Sequence, residues 1–429
     1  MALRRGRLSR LARLGGLAAE VAGGTAGLAG GLMREGSDVA LAAFHRRTAE
    51  RLADALGEMK GLPHKVGQIL SVLEGALPTE HRAVYGEVLT RLQAQAQAMP
   101  WSDLAPVLEA DLGQPVERAF ATLDPEPVAA ASIGQVHRAT LPDGRAVAVK
   151  VQYPGVRAAL EADLKNVEAL VRTLTAAMPK TDVRGLIDDI RATFEDELDY
   201  AHEAAVQQAC AQRWSGQAGV VVPVVVPERC GARVLTTTWI DGAPFSEACA
   251  ASEALRDTWG QRLWDFTWTS ITAHRWIHGD PHPGNFRFLP DGRVAILDFG
   301  ASAELPVALA DGMAAAARAA RAGADDAGLL RHVLPAVGLP RDLAPDVARP
   351  WGCFSRLLFA PMQPGEPFRF TQPYLADLMA EIQAAKTAAA KTALWKGVPT
   401  PSTQGTVLLM RTAIGQAAVL AHLNATVRG

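Results

Sequence analysis

An α+β fold of two lobes, a small sheet-rich one followed by a larger helical one, is what the 429-residue sequence predicts. Three observations carry this. Short apolar runs at residues 133–141 and 146–151 flank Leu141-Pro142-Asp143-Gly144-Arg145, a turn by composition, and so read as a β-hairpin. Two further strand-like runs, at 220–226 and 233–240, follow a helical stretch over 155–215. Beyond residue 240 the chain is Ala-rich and helical to its end, apart from a short hairpin about Asp291. The same five-residue string recurs there, from Leu289 to Arg293; its flanks differ, so it is turn chemistry used twice and not a domain repeat.

Ahead of the lobes, residues 37–112 carry a helical pattern punctuated by Pro63, Pro78 and Pro100. The expected domains are therefore a basic, Gly/Ala-rich segment (1–36), a helical extension (37–112), the sheet-rich lobe (113–240) and the helical lobe (241–429). Arg4, Arg5, Arg7, Arg10 and Arg13 alternate with leucines at every third position. Such a segment fits an anionic membrane surface, a transit peptide or a solvated terminus. Gly23, Gly27 and Gly31 share a face if helical, which suits either close dimer packing or a flexible stretch.

Composition narrows the function classes. Apolar residues make up 49%, enough for a sizeable core, and a net charge of −2 argues against nucleic-acid binding. The four cysteines (Cys210, Cys230, Cys249, Cys353) form no CxxC pair and read as buried thiols of a reducing compartment. No clean apolar run of membrane-spanning length stands out; residues 406–425, with Arg411, Gln416, His422 and Asn424, read as an amphipathic docking helix.

The polar residues of the middle third point to phosphoryl transfer, which needs a phosphate cover, a cation, ligands for Mg²⁺ and a carboxylate at the nucleophile. Asp298-Phe299-Gly300 closes the apolar run 294–297. A carboxylate there is costly unless it holds a metal or a partner. Asp280 and Asn285, within His278-Gly279-Asp280-Pro281-His282-Pro283-Gly284-Asn285, have the five-residue spacing of a kinase catalytic loop. Asp280 is the candidate to orient the attacking hydroxyl or water and take its proton; Asn285 and Asp298 are the candidate Mg²⁺ ligands. Lys150, in Val147-Ala148-Val149-Lys150-Val151, is the candidate cation, and Glu203 or Glu197 its candidate partner. The phosphate cover is unusual. Ala129-Ala130-Ala131-Ser132-Ile133-Gly134 stands where a kinase has its glycine-rich loop, and only Gly134 keeps the freedom for close backbone approach to phosphate. Trp239 and Ile240, at the end of the last strand-like run, complete the candidate nucleotide contacts. A rival zinc reading of His274, His278 and His282 fails on Pro281 and Pro283, which break any helix, and on the lack of H-E-x-x-H.

These motifs give a protein-kinase-like fold and resemble the UbiB/AarF-type family of atypical kinases, linked to ubiquinone and other isoprenoid-lipid metabolism. Lys65-Val66-Gly67-Gln68, the Ala-rich loop, Glu197-Leu198-Asp199, the His278–Asn285 loop and Asp298–Gly300 carry the resemblance. It implies that Lys150 pairs with Glu203. It also implies that Lys65 and Gln68 lie over the site and contact Glu197 or Asp199. The expected ligands are ATP/ADP and Mg²⁺, with an anionic or isoprenoid lipid as the membrane-side partner. The expected activity is ATP hydrolysis or phosphorylation of a small molecule or lipid. No A-P-E follows Gly300, which leaves little room for a peptide-holding segment. Two alternatives stand beside it: a soluble small-molecule kinase of the aminoglycoside or choline type, and a nucleotide-switched scaffold for a lipid-biosynthetic complex. The expected location is the cytoplasmic side of a bacterial membrane, with a mitochondrial one as alternative, and the Gly23/Gly27/Gly31 face makes a homodimer a further expectation.

Overall fold

A computed structural model of the chain describes residues 98–130, 133–158, 161, 195, 198–396 and 404–429. They divide into two compact units. One runs up to Ala201 and takes in Val226–Thr237; the other comprises His202–Val225 and Thr238–Gly429.

The first unit is a sheet backed by helix. Helix α1 (Trp101–Leu112) starts after Pro100, carries Asp103 in its first turn and ends at Gly113, whose left-handed backbone (φ 66°) donates to Glu109 O. Leu104, Val107 and Leu108 fall on one face at i, i+3, i+4 spacing and are buried. A single-turn helix, α2 (Val116–Ala119), leads into β1 (Thr122–Leu123) and β2 (Ala129–Ala130). Both pair antiparallel with β3 (Gly134–Thr140). The predicted hairpin forms: β3 runs antiparallel to β4 (Ala146–Gln152), in register from Gly134↔Gln152 to Thr140↔Ala146. On β4 the pleat sends Val147, Val149 and Val151 into the core with the α1 leucines, each burial contributing about 1.5–3 kcal/mol. Lys150 points the other way. A buried polar chain ties β3 down: Gln135 exchanges hydrogen bonds with the Met99 backbone and reaches His137 Nε2, and His137 Nδ1–H donates to Asp124 O at 2.8 Å.

Helix α3 (Tyr200–Arg213) leads out of this unit. The strand expected over 220–226 is shorter than its apolar run. Only β5 (Val220–Val221) is regular strand, and it pairs parallel with a later strand of the second unit, to which it belongs; Pro223 interrupts the run, and beyond it Val226 N donates to Thr236 O and Thr238 N to Val224 O. β6 (Val234–Thr238) then completes the first sheet, in the order β1-β3-β4-β6.

The second unit is mainly helical. α4 (Phe245–Cys249) precedes α5 (Glu253–His274), whose Trp259, Leu263, Trp264, Phe266 and Trp268 form the centre of its core. β7 (Trp276–Ile277), β8 (Phe286–Phe288), β9 (Val294–Ile296) and β10 (Ala303–Glu304) follow. β8 and β9 form the hairpin about Asp291, and β5 adds to its far edge. The repeated five-residue string folds alike in both units. Gly144 and Gly292 take φ of 88° and 85°, and Asp143 and Asp291 each grip the arginine two residues on. Helices α6 (Val307–Arg321), α7 (Asp326–Ala336) and α8 (Pro345–Phe359), strand β11 (Phe368–Arg369), helices α9 (Gln372–Lys396) and α10 (Gln404–Leu423), and strand β12 (Thr426–Val427), which pairs with β11, complete it.

Two expectations need correction. Residues 405–423 of α10 reach a mean hydropathy of 1.3 over 19 residues, so length and composition alone would allow a membrane span; 56% of that window is packed inside the protein. Leu409, Ala413, Ala417, Leu420 and Leu423 belong to the core, so the apolar character of α10 serves packing. Of the four cysteines only Cys210 is fully buried, its thiol pushed up to about 12 by burial, whereas Cys230, Cys249 and Cys353 are half-buried.

Candidate functional site

The candidate carboxylates of the second unit are carried by two loops stitched together. The first follows β7 and runs from His278 to Asn285. The second follows β9 and carries Asp298, Phe299 and Gly300. His278 is buried, and its Nε2–H donates to Leu297 O at 3.0 Å. Burial pushes its imidazole pKa down, outweighing the nearby Asp280 and Asp298 carboxylates, so the ring is neutral. Ser302 Oγ donates to His278 O at 3.1 Å, and Leu297 N donates to Asn285 O at 2.8 Å. Phe299 is buried edge-on to the His278 ring, with centroids 5.3 Å apart, and stacks at 25° to Trp276. Gly279 has to be glycine. Its φ is +79°, and a Cβ there would overlap the carbonyl of Ala301.

The carboxylates then take fixed positions. Asn285 Nδ2 donates to Asp280 Oδ2 at 2.7 Å and to the Asp280 carbonyl at 3.2 Å. The amide is thereby oriented, and Asn285 Oδ1 has no hydrogen bond among the described residues. Asp298 sits in the left-handed region (φ 55°) and its Oδ1 accepts from Gly300 N at 3.2 Å. Glu203, buried on α3, comes to the same place: a Cβ on Gly300 would lie 3.4 Å from Asp298 Oδ1 and 3.6 Å from Glu203 Oε2. Asp280 with Asn285, and Asp298 with Glu203, are thus brought together. Asn285 Oδ1 and the Asp298 carboxylate are hard-oxygen donors of the kind Mg²⁺ takes, while no group of three or more His, Cys, Asp or Glu is gathered for a metal among the described residues.

The other predicted residues are placed as follows. Lys150 lies on β4 in the first unit, its Nζ 4.9 Å from the centre of the Tyr200 ring. Ala129 and Ala130 form the exposed edge strand β2, paired with Val136 and Gln135. Gly134 meets a different requirement from the one read in the sequence. A Cβ there would overlap Val151 O and lie 2.9 Å from the Tyr200 hydroxyl, so the protein's own packing demands a glycine. Trp239 is half-buried and its indole N–H donates to Asp241 at 2.7 Å; Ile240 is half-buried beside it. Asp199 is exposed. Lys65, Gln68, Ala131, Ser132, Glu197, the basic segment and the Gly23/Gly27/Gly31 face lie outside the described residues. The three rival zinc histidines have separate roles. His274 packs edge-on to Trp214, His278 bonds Leu297, and His282 Nδ1 accepts from Gly284 N.

One residue escaped sequence reasoning. Arg411 of α10 donates to Asp280 Oδ1 at 2.6 Å. The available signal was its place as the single Asp, Glu, Lys or Arg between residues 405 and 423, since a charge in a packed apolar helix needs a partner.

An Asp and an Asn at the spacing of a kinase catalytic loop, joined through a short hairpin to an Asp-Phe-Gly turn and preceded in the chain by a strand Lys, mark a protein-kinase-like chain. The ABC1 atypical kinase-like domain matches residues 91–326, over half of the sequence, and the chain belongs to that family. It is similar to "Atypical kinase COQ8B, mitochondrial" of Rattus norvegicus, 33% identical over 306 residues, 69% of this chain and 56% of that protein. It is also similar to "Atypical kinase COQ8, mitochondrial" of Saccharomyces cerevisiae, 33% identical over 258 residues, 59% of this chain and 50% of that one. The chain spans about half the length of the curated relatives it matches. Among solved structures it resembles the Rv3197–erythromycin complex from Mycobacterium tuberculosis, with a TM-score of 0.61 and 34% identity over 91% of this chain and 95% of that one.

Proposed function

We propose that this chain is a Mg²⁺-ATP-dependent ATPase or atypical kinase that supports ubiquinone or other isoprenoid-lipid synthesis at a membrane surface. The observation that carries the reading is the Asp280–Asn285 pair, hydrogen-bonded at 2.7 Å, together with the approach of Asp298 and Glu203 to one position at Gly300. Asn285 and Asp298 would hold Mg²⁺, which would supply neutralisation of the phosphate charge. Asp280 orients the attacking water or hydroxyl and takes its proton. Asn285, tied to Asp280 through Nδ2, keeps its Oδ1 in a fixed direction. Asp298 is held by the left-handed turn that ends on Gly300. Lys150 carries the cation for the phosphates, anchored by Glu203 according to the family pattern. Lys65, Gln68, Glu197 and Asp199 keep the gating role the resemblance assigns. The location in this reading is peripheral to an inner or cytoplasmic membrane, with a mitochondrial one as the alternative that matches the names of two relatives.

The test is Mg²⁺-dependent ATP turnover by the purified protein, wild type against Asp298→Asn, with and without anionic-lipid vesicles. Turnover that rises with lipid and disappears in the variant is the expected result. An Asp298→Asn protein that binds and turns over Mg²⁺-ATP as well as wild type would end the proposal. Nucleotide bound but never turned over would favour the scaffold. Erythromycin, the ligand of the mycobacterial relative, belongs in the binding arm of the assay.

A further inference from the structure

Helix α10 lies along the catalytic loop and matches it residue for residue. Leu408, Arg411 and Gly415 follow i, i+3, i+7 spacing and so share one helix face. They meet Gly279, Asp280 and Pro281 in turn. A Cβ on Gly279 would come within 3.0 Å of Leu408 Cδ1. Arg411 Nη2 donates to Asp280 Oδ1 at 2.6 Å. A Cβ on Gly415 would overlap the Pro281 ring. The helix is fixed independently of this contact, because Gln416 Nε2 donates to Leu263 O on α5 at 2.9 Å and Leu409, Ala413 and Ala417 sit in the core. Asp280 is therefore held at both oxygens, Oδ2 by Asn285 from its own loop and Oδ1 by Arg411 from 131 positions along the chain. Each carboxylate oxygen has two lone pairs, so both clamps leave acceptor capacity for the nucleophile's proton.

We infer that Arg411 is a positioning residue, and that α10 is a working part of the catalytic site. Arg411 fixes the direction in which the Asp280 carboxylate faces the attacking water or hydroxyl. This rests on the reading of Asp280 given above. The pair is about one-third exposed on each side (34% and 31%), a setting in which an ion pair adds little to stability. Its consequence should therefore fall on turnover and not on folding.

The experiment compares wild type, Arg411→Gln and Arg411→Lys in steady-state Mg²⁺-ATP turnover, with thermal midpoints alongside. Misplacing a catalytic group by about 1 Å costs roughly 100-fold. Arg411→Gln should thus lose about 10- to 100-fold in kcat, with KM for ATP within about twofold and an unchanged midpoint; Arg411→Lys should recover part of the loss. In an Asp280→Asn background, Arg411→Gln should cost nothing further, because the two act as one unit. An unchanged kcat in Arg411→Gln, or a loss that follows KM or the midpoint, overturns the inference. Absence of turnover in wild type would defeat the functional reading instead. Hydrogen exchange then decides the positioning role. The Asn285 and Leu297 amides, which bond His282 O and Asn285 O, should exchange faster in Arg411→Gln and not in Arg411→Lys. Equal exchange in Arg411→Gln and wild type overturns it.

Discussion

Replacing Gly134 with alanine separates two reasons for a glycine at the end of the Ala-rich loop. Read in the sequence, it lets the backbone approach a phosphate. In the structure, it lets β3 approach β4. An added Cβ would overlap Val151 O, lie 3.0 Å from Val151 C and 2.9 Å from the Tyr200 hydroxyl. Two of these are backbone atoms of the neighbouring strand, which cannot swing aside as a side chain can. The Gly134↔Gln152 end of the hairpin has to open instead. That end also carries the buried hydrogen bond from Gln152 Nε2 to Leu198 O at 2.8 Å. Overpacking of this kind costs about 1–3 kcal/mol. At roughly 2–4 °C per kcal/mol for a cooperative unit of about 150–250 residues, the size of the first unit, its thermal midpoint should fall by roughly 2–12 °C. The assay is thermal unfolding of wild type and Gly134→Ala, with Mg²⁺-ATP affinity measured where both are folded. A midpoint preserved to about 1 °C beside a large loss of nucleotide affinity would refute the packing argument and restore the phosphate one.

Two other outcomes are expected. His278 is held neutral by burial while its unfolded counterpart titrates near 6.5. Above that value both states are neutral and the fold keeps its full stability; below it the unfolded chain gains a proton that the folded one refuses. Wild type should therefore lose stability by up to about 1.4 kcal/mol per pH unit below 6.5, relative to His278→Gln. Parallel stability–pH curves between pH 6.5 and 5 would remove the effect. In the phosphate cover, Ala130→Gly should change nucleotide affinity or selectivity by freeing the backbone of an exposed edge strand; identical nucleotide profiles would count against the loop assignment.

Much of the candidate site was legible because its parts are local. The five-residue interval between Asp280 and Asn285, the Asp-Phe-Gly turn after an apolar run and the strand around Lys150 are each encoded within a few neighbours. The turn string met twice behaves the same way, since Asp, Gly and Arg act on a backbone two residues off and fold alike at Gly144 and Gly292. The strand expected over 220–226 forms as two short paired pieces for a related reason. Apolar content marks burial, but Pro223 removes a donor and splits the run: Val220–Val221 pair with β9, while Val224 and Val226 bond to Thr238 and Thr236 of β6.

The sequence by itself determined the α+β class, the kinase-like order of Lys150, Asp280, Asn285 and Asp298, and the family that order resembles, because all of these are written in spacing along the chain. Only the tertiary structure decided that Gly134 answers to Val151 and Tyr200, that the apolar α10 packs in a core, and that Arg411 grips Asp280. Those facts depend on which surfaces meet once apolar faces are buried. A contact across 131 residues leaves no periodicity to read, only one unexplained charge in an apolar helix.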